Sequence, residues 1–267
     1  MKKNIILWVV AFLITASSAI YQRLTGPTYP ITGKTKISNS EIKYKLDRSH
    51  GGEGDHIISI DVPNKDIKGN LVWKRFKSHD QWENQEMVYK DGKLVGILPH
   101  QLPAGKIIYH VELSENNATI HIPNDEQNII RFKGDVPLWI LIPHVIVMFG
   151  AMLVSTRAGL EILSRQSSIL KLTAWTLALT ILGGLIFGPL VQYYAFGAFW
   201  TGVPFGWDLT DNKTLIAVIV WAVAWFKMKK SENPYQIALI AAVVMLIVFL
   251  IPHSVLGSEI DHTKINN

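Results

Sequence analysis

Val136-Pro-Leu-Trp-Ile-Leu-Ile-Pro-His144-Val-Ile-Val-Met-Phe-Gly-Ala-Met-Leu-Val154 contains one ionisable side chain, His144, in an otherwise apolar run. The hydrocarbon core of a bilayer takes roughly 20 mostly apolar residues per helix. The stretch therefore reads as a membrane span. Arg157, Arg165 and Lys171 follow it and mark a cytoplasmic loop. Working outward, further spans are expected over residues 172–191, 214–226 and 235–251, the second of these short. It reaches full length only if part of Asp208–Lys213 is tucked into the headgroup region or the protein interior. Lys227, Lys229 and Lys230 close it with a second cytoplasmic mark.

At the other end, Lys2 and Lys3 precede an apolar run from Ile5 to Ile20. This is a cleaved signal peptide or, as the polar segment after it favours, a retained anchor. Either one sends the residues after 22 to the outside. Residues 22–134 have a soluble composition, with short apolar strands punctuated by turns such as Pro63-Asn64 and Lys90-Asp91-Gly92. Strands are expected over 56–62, 70–76, 83–89, 93–98, 106–113, 118–122 and 129–132. In the fifth of these, Ile107, Tyr109 and Val111 share one face, and Ile108, His110 and Glu112 the other.

The fold class is thus a membrane α-helical bundle of about five transmembrane helices with an inserted extracytoplasmic all-β, sandwich-like domain. Its parts are an anchor at 1–21, the β domain at 22–134, and a four-helix segment at 135–267. That segment carries an external aromatic loop at 192–213 and an external C-terminal tail. The expected location is the inner (cytoplasmic) membrane, multi-pass, with the N-terminus inside.

Composition narrows the chemistry. The net charge of +5 sits beside helix ends and in the β region, without the basic stripe that nucleic-acid binding needs. The chain has no cysteine, which excludes disulfides, thiolate metal sites and covalent heme attachment. No Gly-rich phosphate loop or nucleophile elbow occurs. Whether the chain is an enzyme stays open.

Ionisable groups at membrane depth are costly and usually functional. Two histidines sit in nearly the same string, Leu141-Ile-Pro-His144 and Leu250-Ile-Pro-His253. Each follows a proline, which removes a backbone donor and leaves a carbonyl and some room beside the imidazole. Phe196-Gly-Ala-Phe199-Trp200-Thr-Gly-Val-Pro-Phe-Gly-Trp207-Asp208-Leu-Thr-Asp211-Asn-Lys213 adds an aromatic shelf with charges at its edge. An interfacial aromatic belt is the plain alternative. Glu259, Asp261 and His262 in the tail could join His144, His253, Asp208 and Asp211 in a His/carboxylate site for copper or zinc. Equally, Glu259 and Asp261 could pair with Lys213 or solvate a terminus. Gly184-Leu-Ile-Phe-Gly188 reads as a close-packing face for another helix.

His144, Gly197-Ala-Phe-Trp200, Trp207-Asp208 and His253 occur in an order similar to the heme-handling proteins of cytochrome c biogenesis. Those proteins carry a Trp-rich external loop flanked by two heme-ligating histidines. The resemblance implies heme b held by His144 and His253, with Phe199, Trp200 and Trp207 as the porphyrin shelf. It implies that Asp208 and Lys213 engage the propionates or position the loop. The chain departs from that family in the residues 201–206 that separate Trp200 from Trp207, in its lower helix count, and in its β domain. As a whole it also resembles a bacterial polytopic membrane family marked by Arg131-Phe-Lys-Gly-Asp-Val-Pro137 and Pro252-His-Ser254, a resemblance that implies no activity. Three functions follow as expectations: a heme site, a non-heme metal or proton-relay subunit, or an anchored assembly factor whose β domain binds a membrane or periplasmic protein.

Overall fold

The computed structural model describes residues 2–38, 40–116, 118–124, 127–165, 168–253, 255 and 257–264; Ser254 of the Pro-His-Ser motif lies outside them. The chain divides into a helical unit, Met1–Pro27 with Val136–Gly257, and a β unit, Thr28–Asp135 with Ser258–Asn267.

The β unit holds strands β1 (Ile31–Ile37), β2 (Ser40–Leu46), β3 (Ser49–Gly51), β4 (His56–Asp61), β5 (Lys68–Arg75), β6 (Glu83–Glu86), β7 (Val88–Lys90), β8 (Lys93–Leu98), β9 (Lys106–Glu115), β10 (Ala118–Ile122) and β11 (Asn128–Lys133). They form three sheets: β1-β2, β4-β8-β7, and a larger sheet ordered β3-β11-β9-β5-β6 in which β10 also pairs with β9. β9 is its spine. β5 runs along one edge, while β11 and β10 pair in turn with Lys106–Tyr109 and Val111–Glu115. The expected alternation holds: Ile107, Tyr109, Val111 and Leu113 are fully buried in a core shared with Ile37, Leu46, Ile60, Leu71, Leu98 and Phe132. Each such aliphatic side chain contributes about 1.5–3 kcal/mol by burial. The Tyr109 hydroxyl is satisfied at depth, donating to the Asp47 carbonyl at 3.0 Å and accepting from Asn128 Nδ2 at 2.7 Å.

Two differences from the sequence reading have simple causes. The single strand expected over 83–89 is two strands in different sheets, because Met87 between them turns into the core and its N–H bonds to the Gly69 carbonyl. The β1–β2 hairpin was not expected at all. The tail from Ser258, assigned above to the helical segment, groups instead with the β strands. Glu259 bridges Lys77 and Lys106, Arg131 donates to the Ser258 carbonyl, and the Ile260 N–H reaches the Ala104 carbonyl.

The helical unit contains α1 (Lys2–Thr25), α2 (Leu138–Leu160), α3 (Ile169–Thr180) running through a π-helical segment (Ile181–Phe187) into α4 (Gly188–Phe196), α5 (Leu209–Met228) and α6 (Pro234–Leu250). Among the described residues, four helical stretches are long and apolar enough to cross a membrane: Lys2–Thr25, Leu138–Leu163, Ile169–Phe196 and Leu209–Met228. At 17 residues, α6 is shorter, rising about 26 Å at 1.5 Å per residue. Small side chains bring the helices together. Ala151, Ala158, Ala217, Ala224, Ala238, Ala241 and Ala242 line the interior around Trp221, whose indole N–H donates to Met245 Sδ at 3.1 Å. Large apolar residues such as Trp139, Ile146, Phe226 and Ile240 point outward.

α5 begins at Leu209, not at 214, with Asp211 only 6% and Lys213 only 2% exposed. The charged residues that seemed to shorten this helix are folded into the interior. Arg157, read above as part of a loop, lies in the last turn of α2 and is also buried. It pairs with Glu161 at 2.5 Å and donates to Asn4 Oδ1 at 2.6 Å, with Ser164 Oγ closing on the other Glu161 oxygen.

Candidate functional site

His144 lies one residue past Pro143 inside α2, half-buried. Its Nδ1 is 2.9 Å from the Gly183 carbonyl oxygen. That carbonyl belongs to the π-helical segment, whose cause is close by. Pro189 has no N–H, and in a regular α-helix its ring would collide with the carbonyl four residues earlier. The chain before it widens, and the Gly188 N–H reaches back to Gly183. Wide turns of this kind free backbone groups and recur at functional sites. A carbonyl only accepts, so the His144 proton sits on Nδ1 and the Nε2 lone pair is left available. Beside the ring, a Cβ added at Gly188 would lie 3.8 Å from His144 Cε1, an ordinary contact. Gly183 and Gly184 differ: added Cβ atoms there would fall 2.6 Å from Met148 Sδ and 2.3 Å from Thr214 Cγ2. Gly184 is thus a helix-packing glycine, as the small-residue spacing suggested.

The aromatic loop is built on the first turn of α5. Asp208 caps that helix, its carboxylate accepting from the Thr210 N–H at 2.8 Å. Asp211 Oδ2 accepts from the backbone N–H groups of Thr201 at 2.6 Å and Gly202 at 3.0 Å, and from Thr201 Oγ1 at 3.3 Å. Asn212 accepts from the Val203 N–H. Trp200 turns its indole N–H to the Val203 carbonyl, and Phe199 stacks on Tyr193 with centroids 4.3 Å apart. Trp207 and Phe205 project outward at 85% and 82% exposure. Asp211 thus anchors the loop through Oδ2.

Lys213 crosses the interior to the end of α6. Its ammonium donates to the carbonyls of Ile251 at 2.7 Å and Pro252 at 3.4 Å, and so fixes the backbone immediately before His253. His253 is solvent-exposed, though many protein atoms lie around it. Desolvation, then the charges of Lys213 and His144, hold its pKa down at about 4, opposed by Asp208. His253 is thus neutral near pH 7 and lies within electrostatic range of His144 on α2 and of Asp208 and Lys213 at the start of α5.

The tail residues have other partners. Glu259 is engaged by Lys77 and Lys106. Asp261 accepts from Thr263 and pairs with Lys264. His262 sits near enough to Asp80 to stabilise its carboxylate, below the Arg75 contact that dominates there. The pairing weighed above for Glu259 was with Lys213; the structure gives Glu259 lysines of the β unit instead, and Lys213 the carbonyls of Ile251 and Pro252.

One group escaped the sequence reading. His110, Glu112 and His121 direct ligand atoms to within 4.8 Å of one another on the outer face of β9 and β10. Alternation had placed His110 and Glu112 on one face. His121 joins them only through the strand register, which the sequence does not state.

No family model, curated protein or solved structure matches this chain.

Proposed function

We propose that the chain is a multi-pass inner-membrane protein that holds heme b between His144 and His253. The observation that carries this reading is the His144 Nδ1 contact with the Gly183 carbonyl. Metal-bound imidazoles are oriented in this way, the second nitrogen donating to a backbone carbonyl while the first faces the metal. Neutral His253, within electrostatic range of His144, supplies a second ligand of the same type. Two neutral imidazoles hold heme iron without any cysteine. Lys213, engaged with Ile251 and Pro252, serves as a positioning residue for His253. When bound, heme would supply one-electron transfer.

Membrane insertion rests on the apolar exteriors of the helices, which water would not tolerate over so many large side chains. The Lys/Arg distribution supports an inside N-terminus. The sandwich-like β unit, the aromatic loop and His253 would then face the outside. Trp207 and Phe205 fit the headgroup layer, where Trp and other aromatics concentrate.

The experiment is a pyridine hemochrome assay on the full-length chain purified in detergent from heme-supplied cells. About one heme b per chain is expected for a single bis-histidine site. A folded chain that acquires no heme in cells or from added hemin contradicts the proposal.

A further inference from the structure

The β unit carries a metal-type constellation remote in sequence from the helical histidines. Glu112 on β9 is directly opposite His121 on β10 and Asn70 on β5. His110 stands two residues before Glu112 on the same strand, hence on the same face. Three adjacent strands thus fix the group from backbone hydrogen bonding alone, without any mobile loop.

The geometry favours a shared ion over direct pairing. His110 Nε2 is 3.6 Å and His121 Nδ1 3.7 Å from the same oxygen, Glu112 Oε1. Both separations exceed a hydrogen bond. They are close to the spacing of about 3.4 Å that two ligand atoms adopt around tetrahedral zinc with bonds of about 2.1 Å. The imidazole centroids are 5.6 Å apart, so the rings flank a gap and do not stack.

Surrounding groups hold these ligands in place. Asn70 Nδ2 donates to the other Glu112 oxygen at 3.4 Å and to Asn84 Oδ1 at 3.1 Å. Trp82 packs edge-on against His110 with centroids 5.7 Å apart. The nearby Lys74 ammonium is drawn over the Trp82 ring, 5.1 Å from its centroid. Outer contacts of this kind orient first-shell ligands.

We infer that His110 Nε2, His121 Nδ1 and Glu112 Oε1 form a binding site for a zinc-class divalent transition-metal ion on the outer face of the β unit. Two imidazoles and one carboxylate disfavour calcium and magnesium, which take oxygen ligands. Three protein ligands leave a fourth tetrahedral position for water or a partner's donor group.

The test is a Zn(II) competition titration against a chromogenic chelator, using the full-length chain without a histidine tag. Wild type is compared with Glu112→Gln, His121→Gln and the His144→Ala/His253→Ala double variant. The His121 side chain is 55% exposed, so its replacement leaves the fold intact even if Glu112→Gln perturbs the sheet. At least a tenfold loss of affinity is expected in both β-unit variants, since removing even an outer-shell partner costs about 10- to 100-fold. The double variant should bind zinc as wild type does. Wild-type affinity in Glu112→Gln and His121→Gln overturns the inference. So does zinc binding that disappears only in the double variant, or no binding by wild type.

Discussion

His144 Nδ1 and the carbonyl oxygen of Gly183, 39 residues apart in sequence, are held 2.9 Å from each other. A proline lies at each end of this contact: Pro143 precedes the imidazole, and Pro189 follows the π-helical segment that presents the carbonyl. The contact fixes a tautomer, and the tautomer leaves Nε2 free to ligate. The functional account grows from that pair.

The π-helical segment is also a packing face. Gly184→Ala would put a methyl 2.3 Å from Thr214 Cγ2, so overpacking should destabilise the helical unit by about 1–3 kcal/mol. Combining it with Thr214→Ser removes the opposing methyl and should recover part of the loss. Unfolding of the detergent-solubilised single and double variants reads both effects. Additive losses would show that the two residues do not share a contact.

Lys213→Met should loosen the end of α6. It removes a charged donor from the Pro252 carbonyl and from that of Ile251, which keeps only Gln22 Nε2 at 3.3 Å, at a cost of about 1.5–3 kcal/mol for hydrogen bonds to a charged group. Hydrogen exchange across residues 249–253 should quicken while α2 stays protected. Uniform exchange changes throughout the bundle would count against a local tether.

The Arg157–Glu161 pair makes an asymmetric prediction. Glu161→Gln or Arg157→Gln alone leaves a buried partner uncompensated and should cost about 3–5 kcal/mol. Replacing both with apolar residues of similar volume should cost much less, as expected where desolvation nearly offsets the attraction. Thermal unfolding of the three variants distinguishes this from a surface pair, for which every change would stay within about 1 kcal/mol.

The tail's attachment to the β unit should depend on pH. Burial pushes the Glu259 carboxyl up, but hydrogen bonds from Lys106 and Lys77 outweigh it and hold the group below its ordinary 4.5. A depressed folded-state pKa stabilises the native contact above the unfolded value and loses that stabilisation as pH falls through the folded value. Protection of the Ile260 amide, bonded to the Ala104 carbonyl, should therefore fade below about pH 4.5. In Glu259→Gln it should be weak at every pH. Equal protection in that variant at neutral pH would contradict the clamp.

Much of this architecture is written in local pattern. The β9 alternation and the uninterrupted apolar run around His144 each impose one reading. Even the full length of α5 was conditional on tucking Asp211 and Lys213 away, as their burial bears out. What could not be read depended on distant partners. Exposed Lys34, Lys36, Lys43 and Lys45 mask the inward set Thr35, Ile37, Ile42 and Leu46, so the β1–β2 hairpin looks merely polar. Glu259 lies 182 and 153 residues from the lysines that hold it. His121 meets Glu112 only once the β9–β10 register is known. Of the candidate site, the two Pro-His strings were visible. The carbonyl that orients His144 was not, because nothing in the sequence states which helix faces which.

The central claim is that one iron takes its axial ligands from His144 and His253. Near-infrared magnetic circular dichroism of the ferric full-length protein reports axial ligation directly. The account predicts a bis-imidazole charge-transfer band in wild type, displaced to the histidine–methionine class in both His144→Met and His253→Met. A heme-loaded wild type whose band neither substitution moves would contradict it.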